Sequence, residues 1–248
     1  MINSLRDMYY SLSSSVEQRL FSEYGAVFVT AATPPPAIIF GDSLEVEKFQ
    51  SSLCIKGEVL GEHYIELQSQ AMESLTQAAD YMRSRGERLA ARASDAGRRS
   101  FEDTVRLWTR NVDSGLDHWA NLDRIDRAHA RAIRALPPVR QVEIILELEE
   151  TEKLYFGTYF DRSILYSVAA PGASQHLSLL AFDVAEFQDE AVEQALNQMG
   201  WYRTVTNDLP HFTFLGHAED ALPDLGLKRV SRLYDKRNYN FWVPEMNQ

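Results

Sequence analysis

The sequence predicts an α+β fold, a small antiparallel sheet flanked by helices and interrupted by a helical insertion. Three observations carry this reading. Leu67, Ala71, Leu75, Ala78 and Met82 recur at helical spacing. The short apolar runs Leu179–Val184, Trp201–Val205 and His211–Leu215 have the length of strands, and the last two read as a closing pair. Helices and strands are mixed without regular βαβ alternation, which argues against a parallel sheet. The chain has 248 residues, 45% of them hydrophobic, enough to bury a core. A single domain over residues 1–248 is expected, with an N-terminal extension at 1–60 and the helical insertion at 105–160.

Taken in order, residues 4–22 are expected to be helical, and Ala26–Val29 reads as a short strand. Pro34, Pro35 and Pro36 form a rigid extended turn, and residues 43–53 read as a short helix. The periodic helix that follows ends before Gly86, a suitable C-terminal cap. Leu89–Ala93 reads as a strand. From Phe101 to about Glu150 the pattern is helical and highly charged, with Glu102 and Asp103 suited to a first helical turn. Pro137-Pro138 restarts a helix whose apolar face is Val142, Ile145 and Leu146. Val192, Ala195, Leu196 and Met199 mark a last helix, closed by Gly200.

The formal net charge of −11 argues against a protein that grips nucleic acid by its phosphates. No window reaches the length of a membrane span. The first twenty residues lack a basic start followed by an apolar run, so no signal peptide is expected there. The chain as given is then cytoplasmic, or belongs to the cell envelope if a leader has been removed. Cys54 is the one cysteine, which excludes an internal disulfide and thiolate metal clusters. A metal here would use His, Asp or Glu.

His176 and Asp183 stand seven positions apart, the first in a loop and the second inside the apolar run. A carboxylate between Phe182 and Val184 is costly to bury unless it is paired or binds a metal. From spacing alone, the plainer reading is an Asp on the solvent side of a half-buried strand. His211 opens a strand between Pro210 and Phe212, and taken alone it reads as an ordinary core or surface histidine. Two His and one Asp would meet the need of a zinc hydrolase for three protein ligands and an open fourth position. Asp208, three residues before His211, is a carboxylate suited to acid–base work. His217 reads as a loop histidine, and Trp201 and Tyr202 as core aromatics.

Val168 to His176, running Val-Ala-Ala-Pro-Gly-Ala-Ser-Gln-His, followed by Ala181-Phe182-Asp183, resembles the zinc signature of the D-alanyl-D-alanine carboxypeptidases and vancomycin-resistance D,D-peptidases. The resemblance implies that His176 and Asp183 bind zinc, that His211 is the third ligand, and that Asp208 takes the place of the family's catalytic Glu. Gly97-Arg98-Arg99-Ser100 is similar to the family's Gly-Tyr-Arg-Ser turn, which implies a substrate-steadying role for Arg99. Ser174 is a further candidate for substrate binding. Three motifs in the right order reverse the plainer readings of the two histidines and Asp183. The resemblance covers roughly residues 66–104 and 165–216. The chain departs from it at Leu179 and Pro210, where the family carries Gly and Trp, and at Asp208 itself.

The implied activity is that of a zinc D,D-metallopeptidase acting on a peptidoglycan stem peptide or a D-Ala-D-Ala dipeptide. Two other functions fit the same motifs. One is a zinc-holding binding module, as in the hedgehog signalling domains that resemble this fold. The other is a cell-wall endopeptidase.

Overall fold

A computed structural model of the chain describes residues 4–246. In chain order the helices and strands are α1 (Leu5–Ser11), α2 (Ser15–Tyr24), α3 (Ser43–Ser51), β1 (Ile55–Leu60), β2 (His63–Gln68), α4 (Ser69–Ser84), α5 (Phe101–Asn121), α6 (Arg127–Arg134), α7 (Pro138–Thr151), β3 (Ala181–Asp183), α8 (Glu190–Gln198), β4 (Trp201–Tyr202), β5 (His211–Phe214), β6 (Leu227–Tyr234) and β7 (Arg237–Pro244). The class is α+β, as the sequence predicts. Among the described residues, no helix is long and apolar enough to cross a membrane.

The chain divides into two compact units. One comprises the residues up to Ile38, Glu47–Arg99 and everything from Gln175 onward. Its centre is an antiparallel sheet in the order β3-β5-β4, with Asp183 paired to His211, Phe182 to Phe212 and Trp201 to Phe214. Side chains alternate across a strand, so the sequence His211-Phe212-Thr213-Phe214 sorts itself by face. Phe182, Phe212, Phe214 and Trp201 join one core with Met72, Leu75, Ala79 and Met82 of α4 and Val192, Ala195 and Leu196 of α8. Asp183, His211 and Thr213 are left on the opposite face. Burial of the aromatic face fixes the strand register, and the register brings Asp183 opposite His211.

The other unit comprises Ile39–Val46 and Ser100–Ser174 and is mainly helical. Ser100 caps α5 with a reciprocal capping box to Asp103, and Pro138 opens α7 at its first turn. Phe156 packs so closely on α5 at Gly115 that a Cβ there would lie 2.3 Å from its ring. Gly172, in the Pro-Gly turn, takes φ 80°, and a Cβ on it would lie 2.1 Å from the Phe40 carbonyl oxygen.

Several elements differ from the sequence expectation. The 4–22 helix is two helices, because Ser14 caps a second start with Glu17 while Leu12 is extended. Ala26–Val29 lies in a 3-10 helix, Gly25–Val29, not a strand; a short apolar run carries no period to tell the two apart. Leu89–Ala93 forms no strand and contributes a single bridge, Ala91 to Val184. Two hairpins, β1-β2 and β6-β7, have no counterpart in the sequence expectation.

Candidate metal centre

His176 stands in the one-turn 3-10 helix Gln175–Ser178, and Asp183 and His211 come from the adjacent strands β3 and β5. One ligating atom from each of the three lies within 4.8 Å of the others. Oδ1 of Asp183 is 3.3 Å from Nε2 of His176 and 3.3 Å from Nδ1 of His211. The two imidazoles meet edge to face with centroids 4.9 Å apart.

The loop that carries His176 is held by buried glutamines. Gln50 donates to the carbonyls of Leu177 and Arg99, and Gln68 donates to that of Ser178. The loop ends at Leu179, which takes φ 57° and is fully buried. This is the left-handed conformation that glycine adopts without strain, at the position where the resembling family carries Gly. The backbone keeps the glycine-like turn, and the leucine side chain is accommodated by burial.

The outer nitrogens of both histidines are committed. Nδ1 of His176 is 2.7 Å from the Gly97 carbonyl oxygen, which only accepts, so this nitrogen carries the proton. Nε2 of His211 is 2.8 Å from Oε1 of Gln175. Gln175 donates its amide nitrogen to the Tyr24 carbonyl, which fixes its orientation and makes Oε1 an acceptor for His211 and for the Thr213 hydroxyl. The inner atoms, Nε2 of His176 and Nδ1 of His211, therefore turn lone pairs toward Asp183. Burial pushes the His176 pKa down, against the pull of Asp183, so its imidazole is neutral at neutral pH. For Asp183, burial raises the pKa, yet the carboxyl stays well below its ordinary range, so it is an ionised acceptor.

Three acceptors facing one another in a buried site repel unless a cation lies among them. Their chemistry suits zinc, which takes His nitrogen and carboxylate oxygen and uses three protein ligands where the fourth position serves catalysis. Ligating histidines characteristically donate their other ring nitrogen to a carbonyl, as both do here. The residues present fit such an ion.

Arg99 is at the site, in contact with a member of the acceptor cluster. Its Nη2 lies 2.7 Å from Oδ2 of Asp183, and its Nε donates to the Asp95 carbonyl. Asp183 is thus divided, with Oδ2 on Arg99 and Oδ1 facing the histidines. Asp208 lies outside the three-residue cluster but lines the same cleft as Asp183, a cavity of about 520 Å³ that also involves Arg92, Phe187, Asn207 and Tyr234. Ser174 is buried, and its hydroxyl makes no hydrogen bond among the described residues. His217 bonds the Val29 carbonyl, and Trp201 is in the core. In the sequence, the one signal for Gln175 is its place beside His176.

No family model matches the chain, and no curated protein matches it. Among solved structures, the LdcB LD-carboxypeptidase, described as revealing the molecular basis of peptidoglycan recognition, is 16% identical with a TM-score of 0.35, over 70% of this chain and 68% of that one. A mutant of the vancomycin-resistance D,D-pentapeptidase VanY from a VanB-type cassette, in complex with Zn(II), is 16% identical with a TM-score of 0.33, over 67% of this chain and 82% of that one. Likenesses of this degree assign the chain neither a family nor an activity.

Proposed function

We propose that the chain is a zinc-dependent hydrolase that cleaves peptides ending in D-amino acids, of the D,D-carboxypeptidase or D,D-dipeptidase type. The substrate would be a peptidoglycan stem peptide or a D-Ala-D-Ala dipeptide. The observation that carries the metal is the convergence of three lone-pair acceptors whose outer atoms are already hydrogen-bonded. The D-amino-acid class rests on the sequence motifs at Pro171–Asp183, Asp208–His211 and Gly97–Ser100.

His176, Asp183 and His211 would hold the ion. When bound, zinc supplies Lewis acidity to the scissile carbonyl and to the attacking water. Asp208, exposed at the cleft, would accept the proton of that water and return it to the leaving amine. Arg99 holds Asp183 with Nη2, while its Nη1 has no hydrogen bond among the described residues and is left to stabilise the developing oxyanion. Gln175 keeps Nδ1 of His211 unprotonated and aimed at the ion.

Metal analysis paired with a screen of D-Ala-D-Ala, muropeptides and L,D-peptides tests this reading. Zinc with turnover of a D,D-peptide is expected. Zinc without turnover of any peptide would make the chain a binding module. No zinc after reconstitution would sink the reading altogether.

A further inference from the structure

Resting on this peptidase reading, we propose that Arg92 is the anchor for the C-terminal carboxylate of the substrate and makes the enzyme selective for a free chain end. Arg99 holds Asp183 with Nη2 and its Nη1 is assigned to the oxyanion, so the cleft needs another cation if it is to hold a terminal carboxylate. Among the described residues, Arg92 is the one cationic side chain lining that cleft, where the other charges belong to Asp183, Asp208 and Asp235.

The guanidinium of Arg92 is exposed and makes no ion pair or hydrogen bond among the described residues. It is nonetheless placed. Its carbon lies 5.2 Å from the centre of the Phe187 ring, in a cation–π contact. A guanidinium laid on an aromatic face keeps its N–H edge free for two parallel hydrogen bonds to a carboxylate. The backbone is fixed as well: the Arg92 amide donates to the Asp183 carbonyl at 3.0 Å, and Ala91 bridges to Val184. The anchor is therefore tied by main chain to a proposed metal ligand. A peptide's terminal carboxylate lies one residue, roughly 3.5 Å of extended chain, beyond its last peptide bond, so an anchor neighbouring the metal ligands suits cleavage of that bond.

The acidic groups sharpen the selectivity. Asp183 is neutralised by Arg99, but Asp208 and Asp235 repel an anion placed elsewhere in the cleft. The carboxylate is directed to Arg92, and a peptide without a free end gains nothing there. A crosslinked wall strand would be a poor substrate, which separates this chain from an endopeptidase.

The zinc-loaded protein should be compared with Arg92→Gln and Arg92→Lys on N-acetyl-D-Ala-D-Ala and its C-terminal amide. In parallel, the Arg92 Nε–H signal should be followed by NMR during titration with N-acetyl-D-alanine and with its amide. The parent should prefer the free acid by roughly ten- to hundredfold, mostly through KM, as expected for charge-assisted hydrogen bonds. Arg92→Gln should erase that preference and Arg92→Lys restore part of it. The Nε–H signal should shift with the acid and not with the amide. Equal handling of acid and amide by a parent that does cleave the peptide, or an unchanged preference in Arg92→Gln, overturns the proposal and leaves the peptidase reading standing. If the parent cleaves neither peptide, the NMR titration decides the carboxylate site alone: a saturable, acid-specific shift supports it and no shift overturns it.

Discussion

Asp183 and His211 are direct register partners across β3 and β5, with Oδ1 of the one 3.3 Å from Nδ1 of the other. Neither side chain chose its neighbour. The alternation of Phe182, Phe212 and Phe214 into the core put both on the other face. The purified protein is therefore expected to hold about one zinc ion per chain. His211→Ala removes a ligand without touching the aromatic face, so it should empty the site while the far-ultraviolet circular dichroism stays the same. Retained zinc in that variant would show that the ion binds elsewhere.

Gln175 sets the tautomer of His211, and its effect should appear in metal affinity. Gln175→Met removes the acceptor for Nε2–H and frees that nitrogen to be the unprotonated one. Loss of such a partner typically weakens metal binding by about 10–100-fold. Chelator competition measures it directly. An unchanged affinity in a folded Gln175→Met protein would mean that the carbonyl is not what orients His211.

Asp208 separates binding from chemistry. Asp208→Asn keeps shape and removes the base, so zinc content should be normal and turnover should fall by about a hundred- to ten-thousandfold. Asp208→Glu asks whether the shorter acid has been matched by the backbone here. Higher activity with Glu would show a carboxylate held too far back. Full turnover in Asp208→Asn would assign the proton transfer to another group.

Leu179 sets two effects against each other. Its φ of 57° is worth roughly 1–2 kcal/mol of strain in an L-residue, which glycine would relieve. Its fully buried side chain is worth more, since truncating a buried leucine costs about 2–5 kcal/mol. Leu179→Gly should therefore lower stability by about 1–3 kcal/mol in chemical denaturation. A rise in the denaturation midpoint would show that strain outweighs packing at this turn.

Much of this arrangement was legible because the signals were periodic. The stripe Leu67 to Met82 is the core face of α4, and Gly86 and Gly200 do take positive φ past their helices. The two hairpins were not legible, for local reasons. β6 and β7 are joined by Asp235 and Lys236, at φ 46° and 69°, a left-handed turn without the glycine that usually announces one. β6 is also largely exposed beyond Leu227, so it lacks an apolar alternation to read. At the candidate centre, His176, Asp183 and His211 could be named from motifs. The partners that aim them could not, because Gln175 and the Gly97 carbonyl act through orientation and not through residue type.

The hydrogen bond from His176 to the Gly97 carbonyl joins residues 79 positions apart, and Arg99 and Gln175 are the last and first residues of their unit on either side of the Ser100–Ser174 excursion. Closing a flexible loop of that length opposes folding by about 4 kcal/mol plus a constant, and the penalty grows only slowly with further length. The centre is thus assembled from distant stretches of chain, whose contacts carry a higher entropic cost than those within local helices such as α4. A metal ion that binds only the closed arrangement would draw the whole equilibrium toward the native chain, so metal supply during synthesis would influence how much of this protein a cell keeps folded.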